Sequence, residues 1–369
     1  MKICVLGGCG AMAKAVLKPL ADENDVSKVV IADLDGAAAD EIAKQYGDKF
    51  SGCEVNALNK DSLVKCIKDV DVVMGYVGPF YIFEEKVISA CIEAETHYVS
   101  IADDFDAYLA VEKLHEKAKA ARITVITGLG NSPGITNLLA KKGYQSMDAP
   151  ERIHINWTGG ADEEVGPANV KHVMHIFSGH TLQWMDGKEV QVKTGRGEKQ
   201  VLFPEPIGWQ TVFYTGHAES VSVPRNLPGL LEVTLHGGAR PVWVARMATK
   251  LGDWKLSDSH RKRERLAKLL SPILGVFKIG DSADKSVFRI DVYGSNKGKK
   301  RHHFYTGVGP IAEITSYPCL EGALMVGRGQ IRKRGVFAPE AILSPNTFLP
   351  RLAKRGVEIS FYEGGPLQR

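Results

Sequence analysis

Residues 3–13, Ile-Cys-Val-Leu-Gly-Gly-Cys-Gly-Ala-Met-Ala, join an apolar run to a glycine-rich turn and to the start of a helix-like segment. A second apolar run, Val29 to Ala32, follows this segment and ends on Asp33. Strand, glycine turn, helix, second strand and terminal acid, in this order, are typical of a dinucleotide-binding unit.

Each small residue of the turn has a physical role in such a unit. Gly8, or Gly7 in the alternative register, allows a tight turn out of the strand, and Gly10 lets the backbone approach a diphosphate. Ala13 is small enough for the helix to pack on the strand. The N–H groups and the positive end of the helix then face the phosphates. The predicted cofactor-binding residues of the turn are Gly8, Cys9, Gly10, Ala11 and Met12.

Asp33 indicates which dinucleotide binds. A carboxylate at this position accepts hydrogen bonds from the adenosine ribose and repels a 2′-phosphate. Leu34 and Asp35 follow, so no arginine is present there to hold a phosphate, although Lys44 on the next predicted helix would favour NADP. We therefore predict NAD as the cofactor, with NADP as the alternative, and place Asp33 and Leu34 in its site.

Length and composition limit the class of protein. The 369 residues suffice for two domains, and the composition is globular, with 44% apolar and 24% charged residues. A net charge of +4 is too small to indicate a nucleic-acid or membrane partner. The six cysteines include no Cys-x-x-Cys pair, which favours reduced thiols, no metal site and a cytoplasmic location. The chain opens on a predicted strand, so we expect no signal peptide.

The order of predicted elements indicates an α/β fold. Through residue 140, strands alternate with helices, which is typical of a doubly wound parallel Rossmann sheet. After Pro150, strand-like runs separated by glycine, proline and aspartate turns predict a second, α+β domain of mixed, mainly antiparallel sheet. The predicted domains are an NAD(P)-binding domain over 1–140 to which 311–345 returns, a substrate and dimerisation domain over 141–310, and a C-terminal surface tail over 346–369.

Ligands of an open parallel sheet lie beyond the carboxyl ends of its strands. The predicted fourth strand ends in residues 77–80, Val-Gly-Pro-Phe, where glycine permits close backbone approach and proline fixes the turn. We expect this segment to lie near the nicotinamide ribose.

Two adjacent acids, Asp103 and Asp104, follow the predicted fifth strand. Burial beside apolar groups raises the pKa of a carboxyl group, so either acid is a candidate general base. Aspartate is also a favoured N-cap for the helix that starts near Phe105. Both roles are compatible, with one acid capping the helix and the other taking part in catalysis.

Further substrate-binding candidates follow the sixth strand and lie in the second domain. Residues 128–137, Gly-Leu-Gly-Asn-Ser-Pro-Gly-Ile-Thr-Asn, predict either a second anion-binding or amide-binding helix start or an interdomain hinge. The second domain offers histidines and arginines, and a guanidinium binds a carboxylate at two points. The predicted substrate-binding residues are Asn131, Pro133, His175, His217 and Arg225, with Arg240 as a second candidate clamp.

The chain as a whole resembles the saccharopine dehydrogenase-like family, especially its short members, the lysine 6-dehydrogenases and native amine dehydrogenases. The resemblance covers residues 1–345. The matching segments are Val5 to Ala13, Asp33, Val77-Gly78-Pro79-Phe80, His97-Tyr98-Val99, Asn131-Ser132-Pro133-Gly134-Ile135-Thr136-Asn137, Asp186-Gly187-Lys188, Val201-Leu202-Phe203-Pro204 and Gly335-Val336-Phe337-Ala338-Pro339-Glu340.

This resemblance implies a homodimeric NAD(P)-dependent oxidoreductase that moves hydride between the cofactor and the carbon of a carbon–nitrogen bond in an amine or amino acid. Amine-oxidising relatives have an acid shortly after the Tyr-Val segment, and Asp104 matches it best, with Asp103 one position away. The chain departs from the family at Ser100, where members often have aspartate, and in having Asp where the catalytic acid is often Glu.

Two other functions compete with this interpretation. A reductive condensation of an amino acid with a carbonyl compound, as in opine-forming members, needs two carboxylate sites and therefore both Arg225 and Arg240 in the cleft. A non-catalytic sensor of NAD(H) would bind the cofactor tightly and use no hydride acceptor.

Overall fold

The computed structural model describes residues 1–160, 167–274 and 284–364. The chain divides into two compact units, each formed from two segments. Met1–Ile135 and Ala312–Leu343 form the first unit, and Thr136–Ile311 and Ser344–Arg369 form the second.

The first unit is built on a seven-stranded sheet whose strand order is β15-β6-β5-β4-β1-β2-β3, with parallel pairing throughout the described ladders. Its strands are β1 Lys2–Leu6, β2 Lys28–Asp33, β3 Phe50–Glu54, β4 Val72–Gly75, β5 His97–Ser100, β6 Thr124–Ile126 and β15 Gly335–Phe337. Its helices are α1 Ala11–Asp22, α2 Gly36–Gln45, α3 Lys60–Ile67, α4 Phe80–Glu93, α5 Phe105–Glu112, α6 His115–Ala120, α12 Ile311–Gly327 and α13 Pro339–Ile342. This order confirms the predicted doubly wound Rossmann sheet.

The sequence of the first unit explains why these elements form. In β1 the side chains of residues 3–6 are all buried, because helices cover both faces of a parallel sheet. In α1 the buried residues recur every three or four positions, so one face packs against the sheet. These residues are Ala13, Val16, Leu17 and Leu20.

The second unit contains a nine-stranded sheet with the path β10-β11-β12-β7-β13-β14-β16, to which β8 and β9 add beside β12. Strand β12 pairs in parallel with β7, and the other described ladders are antiparallel, which confirms the predicted mixed sheet. The strands are β7 Ala149–Gly160, β8 His180–Met185, β9 Lys188–Lys193, β10 Lys199–Leu202, β11 Trp209–Tyr214, β12 Glu232–Arg240, β13 Lys285–Asn296, β14 Lys299–Pro310 and β16 Ser360–Glu363. The helices are α7 Ile135–Gln145, α8 Pro167–Ile176, α9 Glu219–Asn226, α10 Val242–Asp253, α11 His260–Leu274 and α14 Pro345–Lys354.

The C-terminal segment differs from the surface tail that the sequence predicts over residues 346–369. Helix α14 buries Phe348 and Leu352 completely, and β16 pairs with β14. The apolar residues of α14 recur at helical spacing, so the segment packs one face into the second unit. Residues 365–369 of the predicted tail lie outside the described residues.

Two smaller differences concern the first unit. The sequence pattern predicts one helix over residues 105–120 and a short strand near residues 54–57. The structure divides that helix into α5 and α6 and places β3 earlier in the chain, at Phe50–Glu54. No helix in the described part of the chain is long and apolar enough to cross a membrane.

Candidate active site

The turn after β1 depends on two glycines with different roles. Gly7 has a φ of +81°, a backbone conformation that is unfavourable for residues with a Cβ atom. A Cβ on Gly8 would lie 2.6 Å from Cγ2 of Ile31, so Gly8 allows the turn to pack on β2. The backbone N–H groups of both glycines donate to the carbonyl of Ala32, at 2.7 and 3.1 Å. The structure therefore assigns the turn to Gly7 and the close packing to Gly8.

The N-terminus of α1 suits an anion. Its N-cap, Gly10, carries no side chain that could accept a hydrogen bond from the first turn, and that turn contains no acidic residue. A Cβ on Gly10 would meet only the carbonyl oxygen of Gly7, at 3.2 Å. Because the first amides and the helix dipole of α1 carry positive charge, these residues fit the diphosphate of a dinucleotide.

Asp33 is held against the same turn. Its Oδ2 accepts a hydrogen bond from the N–H of Cys9 at 3.0 Å, and its Oδ1 accepts one from the N–H of Leu34 at 2.8 Å. Asp35 instead caps α2 by accepting from the N–H of Ala38 at 2.9 Å. Burial, aided by the charge of Asp33, raises the pKa of the Cys9 thiol to about 11, so the thiol adds no negative charge to the turn at neutral pH.

The segment Val77–Phe80 lies beside the glycine turn. The N–H of Tyr76 donates to the carbonyl of Leu6 at 2.8 Å, which aligns the end of β4 with the end of β1. A Cβ on Gly78 would have no neighbour within 4 Å, so this glycine faces open space. The structure thus brings the predicted nicotinamide segment and the predicted phosphate turn to one edge of the sheet.

The two adjacent aspartates differ in exposure and in contacts. Asp104 stands at the N-cap position of α5, but its side chain does not cap that helix. Its Oδ2 accepts from the N–H of Tyr81 in the first turn of α4, at 3.1 Å, and the residue is only 1% exposed. Asp103 is half-buried. Asp104 therefore caps a different helix from the one that the sequence predicts, and Asp103 is the more accessible acid.

A third acid, Glu84, was missed by the sequence analysis. It is 1% exposed in α4. Its Oε2 accepts from the hydroxyl of Tyr98 at 2.8 Å, and its Oε1 accepts from Ser100 at 2.6 Å and from Thr127 at 2.9 Å. The sequence pattern that could have indicated Glu84 is a charged residue within the apolar face of a helix. Burial of such a residue is unfavourable unless hydrogen bonds compensate.

Asn131 and Pro133 lie in a tight turn between β6 and α7. The N–H of Gly130 donates to the carbonyl of Pro133 at 2.8 Å, and the N–H of Leu129 donates to the carbonyl of Ser100 at 2.7 Å. The second bond ties the turn to the end of β5. Both predicted residues are thereby placed near the carboxyl edge of the first unit's sheet, and their role in binding stays a prediction.

In the second unit, His217 belongs to an aromatic group. Its ring stacks on Trp157 with centroids 4.7 Å apart and an interplanar angle of 8°, and the ring of His172 lies 5.5 Å away. His175 lies in α8 and accepts a hydrogen bond from the guanidinium of Arg263. The N–H of Gly216 donates to the last residue of α8, so the structure places His217 beside the end of the helix that carries His175.

The two candidate arginines are separated within the second unit. Arg225, in the last turn of α9, pairs with Glu189 at 2.8 Å. Arg240 ends β12 and donates to the carbonyl of Lys285. Leu231 directly precedes β12, and its carbonyl accepts a hydrogen bond from the N–H of Gly187. Glu189 is two residues beyond Gly187, so Glu189 and its partner Arg225 lie near the start of β12, whereas Arg240 lies at its end. The nine residues of β12 span about 25 Å, so these arginines do not form one clamp.

Two segments of the amino-acid sequence match two domains of one protein family. Residues 3–126 match the saccharopine dehydrogenase NADP binding domain, and residues 187–357 match the saccharopine dehydrogenase C-terminal domain. The chain belongs to the saccharopine dehydrogenase family. This membership confirms the resemblance drawn from the motifs and makes the protein an NAD(P)-binding oxidoreductase of that family.

Relatives of known name match this family member in sequence or in fold. Carboxynorspermidine synthase of Vibrio cholerae is 24% identical over 95% of this chain and 94% of the relative. Saccharopine dehydrogenase (NADP(+), L-glutamate-forming) of Saccharomyces cerevisiae is 31% identical over 59% of this chain and 48% of the relative. The apo structure of the Saccharomyces cerevisiae saccharopine dehydrogenase (L-Glu forming) has a TM-score of 0.71 at 17% identity, covering 99% of this chain and 100% of that chain, which shows a common fold.

Proposed function

We propose that this protein transfers hydride at a carbon–nitrogen bond of an amine or amino acid, using NAD or NADP. The observation that carries the proposal is that a dinucleotide turn and a pair of acids emerge at the same edge of the first unit's sheet. The nicotinamide supplies the hydride acceptor or donor when the cofactor is bound, and an acid at the adjacent strand end is suited to move the proton that the nitrogen loses or gains.

We expect NAD to bind more tightly than NADP. Asp33 would accept hydrogen bonds from the adenosine ribose, and its negative charge disfavours a 2′-phosphate. Glu54 ends β3 next to Asp33 in the sheet register and adds a second acid there. We expect a dissociation constant for NADH at least about tenfold below that for NADPH, measured by fluorescence titration. Equal affinities would show that another group, such as Lys44, neutralises this region.

The roles of the two aspartates follow from their contacts. The carboxylate of Asp104 is held by the N–H of Tyr81, whereas Asp103 is more exposed and is therefore more accessible to a substrate nitrogen. Of the predicted substrate-binding residues, Asn131 and Pro133 lie near the carboxyl edge of the first unit's sheet and fit this proposal. The roles of His175 and His217 stay predictions. Arg225 is engaged by Glu189, which disfavours its role as a carboxylate clamp.

Reductive condensation of an amino acid with a carbonyl compound is the second candidate. The likeness to a carboxynorspermidine synthase over nearly the full length of both chains favours it. The separation of Arg225 from Arg240 argues against the two-arginine clamp that this alternative would use. A NADH-fluorescence screen separates the candidates, because condensation consumes NAD(P)H only when an amine and a carbonyl compound are both present.

The test of the proposed chemistry compares Asp103→Asn and Asp104→Asn with Asp61→Asn, which changes an exposed acid in the first turn of α3. We expect at least one of the first two variants to lose about 10²-fold or more in kcat while still binding NADH, and the control to stay at the wild-type rate. Wild-type rates for both variants, or tight NADH binding without turnover in either direction, would refute it. The second result would favour a non-catalytic sensor.

The family resemblance implies a homodimer and the cysteine usage favours a cytoplasmic location, and we propose a homodimer as the active form. Light scattering coupled to gel filtration would give twice the chain mass of 40.3 kDa for a dimer. A mass equal to a single chain at micromolar concentration would reject it.

A further inference from the structure

Helix α12 brings a buried serine to the phosphate turn, the name used here for residues Gly8–Met12. Ser316 is 0% exposed, and its Oγ donates a hydrogen bond to the carbonyl of Met12 at 2.7 Å. Met12 lies in the first turn of α1, two residues after the N-cap Gly10. A serine inside a helix commonly donates to a carbonyl one turn earlier in its own helix. The Ser316 hydroxyl instead joins two segments that are 304 positions apart.

The same serine contacts the end of β4 through its backbone. The hydroxyl of Tyr76 donates to the carbonyl of Ser316 at 3.4 Å. Tyr76 directly follows β4 and precedes Val77–Phe80, the segment that we expect beside the nicotinamide ribose. Burial raises the pKa of Tyr76 well above its usual value, so the hydroxyl keeps the proton that it donates. Ser316 therefore contacts both the phosphate turn and the residue that leads into the expected nicotinamide segment.

Further contacts hold α12 against the same sheet. The thiol of Cys319, three residues after Ser316, donates to the carbonyl of Val99 in β5 at 3.4 Å. A Cβ on Gly130 would lie 3.5 Å from Cγ2 of Thr315, so the loop after β6 also packs on α12. Most residues of α12 are buried. Because a close-packed core resists displacement, α12 is a rigid support from which Ser316 reaches the two cofactor segments.

The two halves of a dinucleotide act as two linked ligands. Both halves bind at once only if the spacing between their sites matches the length of the linker, and the affinity falls when this spacing varies. The bond from the N–H of Tyr76 to the carbonyl of Leu6 fixes the strand ends, which precede both cofactor segments. Ser316 adds a connection beyond the ends of the two strands, at the level of the segments themselves.

We infer that Ser316 is a positioning residue for the dinucleotide: its hydroxyl and its carbonyl together set the spacing between the phosphate turn and Val77–Phe80. This inference rests on the cofactor site proposed above, but it does not depend on the oxidation of an amine. The chain returns to the first unit at Ala312, so the residue that sets the spacing comes from the second of the two segments that form this unit.

The experiment compares the affinities of the full-length protein for NADH and for ADP by isothermal titration calorimetry. ADP contains the adenosine and the diphosphate but no nicotinamide, so its binding does not depend on the spacing. Ser316→Ala removes the hydroxyl donor. We expect this variant to raise the dissociation constant for NADH about tenfold and that for ADP by less than about twofold. A general loss of structure would weaken both ligands alike, so the ratio of the two constants separates positioning from stability.

Thr96→Val is the matched control. The hydroxyl of Thr96 is also buried, and it donates to the carbonyls of Ile67 and Ala94, each at 3.2 Å. Thr96 directly precedes β5, so it lies at the amino end of that strand, away from the edge that carries the phosphate turn. Thr96→Val should lower the midpoint of thermal unfolding about as much as Ser316→Ala does, and it should leave both dissociation constants unchanged.

Tyr76→Phe is the second variant, and it tests the other half of the connection if Ser316→Ala does not fold. It keeps the aromatic ring and removes the hydroxyl that donates to Ser316. We expect the dissociation constant for NADH to rise about threefold, while that for ADP changes by less than about twofold, because one neutral hydrogen bond is lost. Thermal unfolding establishes that each variant is folded.

The outcomes separate this inference from the proposed function. An unchanged ratio of the two dissociation constants in the folded variants overturns the inference, and so does an equal rise in both constants. A raised ratio supports it, even if the wild-type protein oxidises no amine and the proposed reaction fails. A wild-type protein that binds neither ligand would refute the cofactor site and this inference with it.

Discussion

Replacing Gly7 with alanine tests the geometry of the turn on which the cofactor site depends. Gly7 has a φ of +81°, and an alanine there loses about 1–2 kcal/mol relative to its preferred conformations. The new Cβ would also lie 2.9 Å from the carbonyl carbon and 3.0 Å from the carbonyl oxygen of Tyr76. Both atoms belong to the backbone, so relief of the overlap must displace the end of β4 at a further cost of about 1–3 kcal/mol.

Gly47 provides a matched control. It has a φ of +84°, and a Cβ there would have no neighbour within 4 Å. Gly47→Ala therefore incurs the conformational cost without the overlap. Both substitutions restrict the unfolded chain equally, so that effect cancels in the comparison. We expect Gly7→Ala to lower the free energy of unfolding by about 2–4 kcal/mol and Gly47→Ala by about 1 kcal/mol.

Urea unfolding monitored by circular dichroism measures the two free energies, and NADH fluorescence measures cofactor affinity. Displacement of Tyr76 also moves Val77, so Gly7→Ala should weaken NADH binding while Gly47→Ala does not. If the two variants unfold at the same urea concentration, Tyr76 does not constrain the turn and the reasoning is wrong.

Three further predictions concern separate parts of the chain. Gly10→Ala should change the free energy of unfolding by less than about 1 kcal/mol, but it should raise the dissociation constant for NADH, measured by calorimetry, about tenfold or more. The reason is that the new methyl group would occupy the N-terminus of α1. An unchanged affinity would argue against diphosphate binding there. Phe348→Ala should cost about 3–5 kcal/mol in urea unfolding, and a much smaller loss would mean that α14 is not packed. Burial lowers the pKa of His236 well below its usual value, so the unfolded chain binds a proton that the folded chain does not. The resulting loss of stability as pH falls below about 6.5 should become shallower in His236→Gln, and an unchanged slope between pH 7 and 5 would contradict this.

The first unit was largely predictable because its signals are local. Strands of a parallel sheet are buried on both faces and form apolar runs, so the apolar run before the glycine turn predicts β1. Helix α12 lies within residues 311–345, the segment that the sequence predicts to return to this unit. Helix α14 was missed because Pro345 and Pro350 favour a loop when the apolar spacing around them is ignored.

For the candidate site, the sequence predicts which strand ends carry the candidate residues, but not the contacts among those residues. Sequence spacing places Asp104 after β5, but its contact with Tyr81 joins the starts of two helices, and the two residues are 23 positions apart. The stacking of Trp157 on His217 depends in the same way on how β7 lies beside a distant loop. Such pairings follow from tertiary packing, which a single sequence does not display. The catalytic and binding roles assigned to the individual residues stay predictions until the variants are measured.

Strand β15 has a consequence for biosynthesis. It pairs with β6 on the outer side of the first sheet, yet it is made more than 200 residues after β6, when nearly the whole second unit has left the ribosome. During that interval the hydrogen-bonding groups of β6 are exposed to other strands, a known risk for aggregation. A nascent chain stalled before residue 335 should therefore depend on chaperones more than the finished protein does.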